Sequence, residues 1–131
     1  MTTLTALTAI RVGRHETFDR VVLDFTGPVP QVAHEFTDEL ISDPSGEIEW
    51  LTGSEFIQLT LQPAAAHDDA GNPTFPGPRK FRTRELANVQ AVVVDGDFEG
   101  VLSVGLGLRV RTSVKVFDLA SPNRLVIDVA H

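Results

Sequence analysis

Two segments of the same pattern lie far apart in this chain, Arg20–Phe25 and Arg124–Val129. Each runs arginine, three aliphatic residues, aspartate and a final apolar residue, and such aliphatic, β-branched runs favour strands. Because side chains alternate between the two faces of a strand, one face of each segment is wholly apolar and the other carries the charges. The pattern predicts two strands of a β-sandwich layer, each with one buried and one partly hydrated face. The side chains that we expect to be buried include Val21, Leu23, Ile127 and Val129.

The charged faces of these two strands predict how they pair. If the strands run antiparallel as neighbours, Arg20 meets Asp128 and Arg124 meets Asp24. Opposite charges facing each other across neighbouring strands contribute about 0.2–1 kcal/mol per pair. We therefore interpret these four residues as structural rather than as ligand contacts.

The rest of the chain alternates short strand-like segments with turn signals, and no stretch shows convincing helical periodicity. An Asp-Pro-Ser-Gly turn is expected at 43–46 and a hairpin turn at 95–97, while Gly105 and Gly107 permit a bulge or bend. Short strands at this spacing predict an all-β fold, either a sandwich or a barrel. The predicted strands are 4–12, 18–26, 31–36, 48–51, 55–62, 89–94, 98–110, 113–119 and 124–130.

Size, charge and composition narrow the classes of function. The 131 residues predict a single domain, 1–131, and a net charge of −7 argues against nucleic-acid binding. There is no cysteine, which removes disulfides, thiolate nucleophiles and cysteine-bound zinc. The first residues lack the features of a signal peptide, and no apolar run approaches the roughly 20 residues of a membrane helix. We expect a mature or trimmed domain of an extracytoplasmic protein, with a cytoplasmic protein as the alternative.

No catalytic or metal-binding pattern is complete. The stretch 34–38 (H-E-F-T-D) resembles a zinc-protease signature, but aspartate replaces the second histidine and the stretch is predicted as a strand. Carboxylates alternate at Asp95, Asp97 and Glu99, without the rest of a calcium-binding loop. The sequence has no G-x-S-x-G nucleophile elbow, and the glycines at 105 and 107 lack the third glycine of a dinucleotide site. We expect a non-catalytic protein without a metal or cofactor.

The candidate binding residues follow a proline-rich segment, 63–78, which predicts a long loop with room for one helical turn. Four of the eleven basic residues lie within the next six positions. They suit either a charged edge strand that resists unwanted pairing, or an anion-binding patch in which Lys80, Arg82 and Arg84 share one face. The single tryptophan is either a core residue or a platform for a sugar ring. The candidate ligand-binding residues are thus Arg79, Lys80, Arg82, Arg84 and Trp50.

Three motifs, in order, resemble the AMIN-like domain of actinobacterial envelope proteins and lipoproteins. They are G-R-H-E-T-F-D-R-V-V at 13–22, G-D-F-E-G at 96–100 and P-N-R-L-V-I-D-V at 122–129. The resemblance spans essentially the whole chain and implies a two-sheet antiparallel β-sandwich. AMIN domains accompany cell-wall amidases and pilus secretins and target them by binding peptidoglycan. This chain departs from that pattern in having no amidase domain and a longer loop at 63–78.

The resemblance therefore implies a non-catalytic cell-envelope module that binds peptidoglycan or targets a protein to the cell wall. Aromatic platforms would suit the sugar rings of such a ligand, and arginine forks would suit its stem-peptide carboxylates. The alternatives are a carrier of small apolar ligands, which needs an enlarged apolar cavity, and a β domain for protein–protein interaction. The sequence does not specify an oligomeric state.

Overall fold

The computed structural model describes residues 4–42 and 45–131, which contain twelve β-strands and no helix. The all-β prediction is confirmed. Positions 43 and 44 of the predicted turn lie outside the described residues. The strands are β1 (Thr5–Arg14), β2 (Phe18–Phe25), β3 (Gln31–Thr37), β4 (Leu40–Ile41), β5 (Ile48–Glu49), β6 (Glu55–Gln62), β7 (Ala64–Ala65), β8 (Lys80–Arg82), β9 (Val89–Phe98), β10 (Val101–Leu108), β11 (Val114–Leu119) and β12 (Arg124–Ala130).

The strands form two five-stranded sheets that face each other. Sheet one has the order β11-β12-β2-β1-β7 and sheet two has the order β3-β6-β10-β9-β8, while β4 and β5 form a separate pair. The pairings within these sheets are antiparallel, except that β7 runs parallel to β1. The predicted antiparallel pairing of the two similar segments, now β2 and β12, is confirmed.

The core lies between the two sheets, where the apolar faces of β2 and β12 meet those of β6, β9 and β10. All four side chains expected to be buried are fully buried. Each fully buried aliphatic side chain of this kind contributes about 1.5–3 kcal/mol. The alternation of apolar residues therefore explains both the strands and the interface that joins the sheets. The residues from sheet two that face this interface include Ile57, Leu59, Leu61, Leu102, Val104 and Leu106.

One of the two predicted charge pairs forms. Arg20 donates two hydrogen bonds to the Asp128 carboxylate, at 2.8 and 2.9 Å. The hydrogen bonds to the Asp128 carboxylate stabilise the charged guanidinium and raise the pKa of Arg20 above its ordinary value. Burial lowers this pKa, but its effect is smaller. The pair ties β2 to β12 on the hydrated face of sheet one.

The other predicted pair, Arg124 with Asp24, is wrong. The two residues lie opposite each other in the register, but Asp24 accepts two bonds from Arg11 of β1 instead, at 2.7 and 2.9 Å. Arg124 donates to the carbonyl oxygens of Ala120 and Pro122 in the preceding turn. Because β2 has neighbours on both sides, its aspartate had two possible arginine partners, and the other neighbour holds it.

The predicted hairpin turn at 95–97 is also wrong. These residues continue β9, and the turn before β10 falls at Glu99 and Gly100. Both have positive φ, +52° and +80°, as a two-residue hairpin turn of type I′ requires. Asp95 and Asp97 are held within the strand by side-chain partners, since Gln58 donates to Asp95 and the backbone N–H of Ala66 donates to Asp97.

No helical turn forms in the proline-rich segment. Ala64 and Ala65 form the short strand β7 against β1, and Phe75 is buried in the core cluster. The rest of the segment closes over the margin of the sandwich, where Thr74 donates a hydrogen bond to the carbonyl oxygen of Leu7 at 2.6 Å.

Two glycines of β10 allow a second layer to lie on the outer face of sheet two. This layer, the cover segment, consists of residues 40–42 and 45–53. A Cβ at Gly105 would lie 2.6 Å from the buried side chain of Leu40, and a Cβ at Gly107 would overlap the carbonyl oxygen of Thr52. The register between β9 and β10 is irregular close to these two glycines. The close contacts, however, show that both glycines also serve to admit the cover segment.

Candidate functional site

One surface cleft brings three of the five candidate residues together. Trp50, Lys80 and Arg82 line it, and its volume is ≈ 530 Å³. Trp50 is 77 % exposed, so the alternative that it belongs to the core is wrong. We call this feature the Trp50 cleft, and its remaining lining residues are Leu51, Thr52, Phe81 and Ala91.

The cover segment places Trp50 at the rim of the cleft. Ser54 donates its backbone N–H to the carbonyl oxygen of Leu108 at 2.8 Å, and the residues just before it press onto Gly107. Trp50 follows β5 directly and stands clear of the sheet. An indole ring held in water presents a large, flat apolar surface, which is a feature that binding sites use.

Lys80 fastens the cover segment to β8. Its Nζ donates to the Glu49 carboxylate at 2.8 Å and to the carbonyl oxygen of Trp50 at 2.9 Å. The ion pair is partly exposed and contributes about 0–1 kcal/mol to stability. The two contacts nevertheless fix the backbone of Trp50 beside β8, so Lys80 acts as a positioning residue for the tryptophan.

Arg82 is the cation of the cleft that is available to a ligand. It lies on the same side of β8 as Lys80 and is exposed. Within the described residues its guanidinium has no ion pair and no hydrogen bond. A planar guanidinium in this state can bind a carboxylate with two parallel hydrogen bonds.

Arg79 lies outside the cleft. Its guanidinium donates to Asp97 at 3.3 Å, in a neighbouring depression. The same carboxylate contacts the Nδ1 of His67 at 2.8 Å. These contacts anchor the proline-rich segment to β9, because His67 lies within the segment and Arg79 directly follows it.

Arg84 is exposed and lies beyond β8, which ends at Arg82. Of the three cations predicted to share one face, only Lys80 and Arg82 therefore lie on β8. β8 is also the outermost strand of sheet two, so its charges suit a protected edge as well as a binding surface.

A buried polar centre that the sequence did not reveal joins the two sheets. Asp19 of β2 is 0 % exposed, and its carboxylate accepts three backbone N–H bonds from the start of β9. An ionisable residue at an inward position of an apolar strand face was the available signal, because such residues are almost never buried without partners. The donors are Ala87, Asn88 and Val89, at 3.1, 2.6 and 2.9 Å.

The side chain of Asn88 extends this centre to two further segments, the connection at 109–112 and the end of β12, and we call the two residues the Asp19–Asn88 hub. Its amide donates to the carbonyl oxygens of Val110 and Ala130 and to the hydroxyl of Thr112. Its oxygen accepts the backbone N–H groups of Arg109 and Val110. Because its partners are mostly backbone groups of the fold itself, we interpret the hub as structural.

The opening motif that carried the resemblance is structural by the same criterion. His15 stacks on Phe18 with ring centroids 4.6 Å apart, and the guanidinium of Arg20 lies 5.3 Å from the Phe18 ring centre. With Asp19 in the hub, His15, Phe18 and Arg20 also have partners within the domain. The H-E-F-T-D stretch lies on or beside β3, so it lacks the helix that a zinc protease requires. Among the described residues, no group of three or more histidine, aspartate or glutamate side chains is placed to hold a metal ion.

Fold and cleft together define a small β-sandwich module with one open aromatic and cationic cleft. In a comparison with protein families, the model of the AMIN-like domain matches residues 5–131. The chain belongs to the AMIN-like domain family, which confirms the resemblance and associates the chain with the cell envelope. A search of curated proteins gave no significant match. In the part of the chain that the structure describes, no helix has the length and apolarity needed to span a membrane.

Proposed function

We propose that this chain is a non-catalytic module of the cell envelope that binds peptidoglycan, and that the Trp50 cleft is its binding surface. Family membership supports the ligand class. The observation that carries the site is the exposed indole of Trp50 beside Arg82, which has no partner among the described residues. An extracytoplasmic location belongs to the same proposal.

The cleft offers chemistry that matches both parts of peptidoglycan. The flat face of Trp50 suits sugar rings, which present apolar C–H faces to aromatic platforms. The guanidinium of Arg82 suits the carboxylates of stem peptides, since a hydrogen bond to a charged group contributes about 1.5–3 kcal/mol. Lys80 holds the tryptophan in place and adds positive potential near the same site.

Because the whole chain is negatively charged, the exposed cation Arg82 marks a local site for an anion. With a net charge of −7, the protein repels an anionic polymer except where cations are exposed locally. Because the Debye length shortens from about 10 Å at 0.1 M salt to about 3 Å at 1 M, binding through an exposed arginine weakens as salt rises. We expect wall binding to be salt-sensitive and to depend on the Trp50 cleft.

Sedimentation with purified sacculi tests the proposal. We expect Trp50→Ala and Arg82→Gln each to weaken binding by about tenfold or more, on the scale of one charged hydrogen bond. Arg84→Gln is the matched control, because it removes another exposed arginine that lies outside the cleft, and it should bind as the wild type does. Equal losses in the Arg82 and Arg84 variants would reduce the cluster to a charged edge strand.

The absence of catalysis is tested separately. Sacculi incubated with the protein, with and without added Zn²⁺, should release no new amino groups or soluble muropeptides above a buffer control. Turnover that scales with protein concentration and survives further purification would overturn the non-catalytic part of the proposal while leaving the binding part intact.

A further inference from the structure

The strand β8 has one hydrogen-bonded side and one free side. The Arg79 carbonyl oxygen accepts the N–H of Val94 at 2.7 Å, and Thr83 donates its N–H to the carbonyl oxygen of Gln90 at 2.9 Å. Because backbone groups alternate in direction along an antiparallel strand, the odd-numbered residues here bond to β9. The N–H and C=O groups of Lys80 and Arg82 therefore point away from β9, where no described strand pairs with β8.

The two faces of β8 meet different surroundings. Lys80 and Arg82 line the Trp50 cleft on one face. Phe81 also lines a second depression of ≈ 390 Å³, whose surface is mainly apolar and which includes Ile10 and Phe75. An extended chain that adds to the free side of β8 would lie between these two surfaces and within reach of both.

We propose that the part of peptidoglycan recognised at this edge is the stem peptide, which binds by adding a short strand to β8. This inference rests on the proposed function. Amide groups of the peptide backbone pair with the free groups of Lys80 and Arg82, and a peptide carboxylate binds the Arg82 guanidinium. The occupant is short, because β8 itself has only three residues. It is acidic, because Arg82 has no anionic partner among the described residues.

Competition with defined fragments separates this inference from the proposed function. The two probes are a synthetic, sugar-free stem tetrapeptide containing γ-linked D-Glu and a terminal D-Ala, and glycan strands from which the peptides have been removed. We expect the tetrapeptide to displace the protein from sacculi and the bare glycan not to do so. Displacement by the bare glycan alone, or by neither fragment, would overturn the stem-peptide inference while the binding to sacculi still stood. Failure to bind sacculi at all would overturn the proposed function itself.

Amide hydrogen exchange reports on the backbone pairing directly. In the free protein the N–H groups of Lys80 and Arg82 should exchange rapidly, whereas that of Phe81, which faces β9, should be protected. The tetrapeptide should slow exchange at positions 80 and 82 by about two- to twelve-fold at saturation, the scale of one neutral hydrogen bond. Protection confined to side-chain signals of Trp50 and Arg82, with no change at these amides, would contradict strand addition.

A matched pair of variants isolates a single backbone group. Lys80→Pro and Lys80→Gln both remove the ammonium group, but only the proline also removes an N–H, and that N–H faces the free side of β8. Proline is tolerated in such an edge position because no ladder bond to β9 is lost. The proline variant should bind the tetrapeptide about two- to twelve-fold more weakly than the glutamine variant. Equal affinities of the two folded variants would contradict the proposal, and the exchange experiment tests it on the wild-type chain should the proline variant not fold.

Discussion

The Asp19–Asn88 hub and the Trp50 cleft use polar side chains in opposite ways. Asp19 is fully buried, and three backbone donors satisfy its carboxylate. Arg82 is exposed and has no partner among the described residues. An unsatisfied buried charge would be very costly, whereas an unpaired charge in water costs the fold little. The presence or absence of hydrogen-bonding partners therefore distinguishes the charged side chains that maintain this fold from those that remain available to a ligand.

Replacing Asp19 with Ala should have the largest effect on stability. The change leaves three backbone N–H groups at the start of β9 without their acceptor, and we expect a loss of about 3–5 kcal/mol in the free energy of unfolding. Urea denaturation followed by far-UV circular dichroism measures it, and Asp19→Asn, which keeps one acceptor oxygen, is the graded control. A loss below about 1 kcal/mol would show that the hub is not essential to the fold.

Replacing Leu23 with Ala tests the apolar part of the same comparison. The side chain is fully buried between the sheets, so its truncation should cost about 2–5 kcal/mol through lost burial and a residual cavity. The same denaturation experiment measures the change, with the exposed Leu119 on β11 as the matched Leu→Ala control. Similar losses at the two positions would contradict the assignment of the core.

The change Gly107→Ala should affect both properties to an intermediate degree. A Cβ at this position overlaps the carbonyl oxygen of Thr52, so the cover segment must shift, at a cost of about 1–3 kcal/mol. Because the same segment carries Trp50, binding to sacculi should fall although no cleft side chain is changed. Gly13→Ala in β1, where the nearest atom to the added Cβ lies at 3.9 Å, is the control. Undiminished binding by Gly107→Ala would show that the cover segment does not position the cleft.

The smallest effect on stability should come from Arg82→Gln. An exposed cation without a partner contributes little to the fold, and we expect a change within about 0.5 kcal/mol in the free energy of unfolding. The same variant should lose most of its binding, especially at low salt. A large loss of stability in this variant would mean that Arg82 has a structural role after all, and the contrast with Asp19 would fail.

The sequence predicted the fold better than it predicted the individual contacts. Alternation of apolar residues is a property of each strand by itself, so the burial of Leu23 and Ile127 followed from local pattern. The partner of Asp24 did not follow, because it depends on which of two neighbouring strands offers the nearer arginine. The Asp-Gly turn signal was misplaced by a few residues, since the side-chain partners of Asp95 and Asp97 keep both within β9.

The candidate site shows the same limit. The basic cluster and Trp50 were evident in the sequence, but their grouping was not. The indole is exposed because the cover segment crosses Gly107, a residue that lies far from Trp50 in the sequence. Lys80 and Arg82 differ in availability only because Glu49 is close to one of them. The free side of β8 is likewise a property of strand order, which no local pattern specifies.

The position of β12 has a consequence for how the chain matures. Residues 124–130 lie between β2 and β11, so sheet one is interrupted until nearly the last residues of this chain are present. Chains emerge during synthesis or export from the N-terminus, at about 5–20 residues per second, and β folds with such distant pairings form in about milliseconds to seconds. The domain therefore stays incomplete until β12 has emerged, and until then the edge of β2 that pairs with β12 has no neighbour.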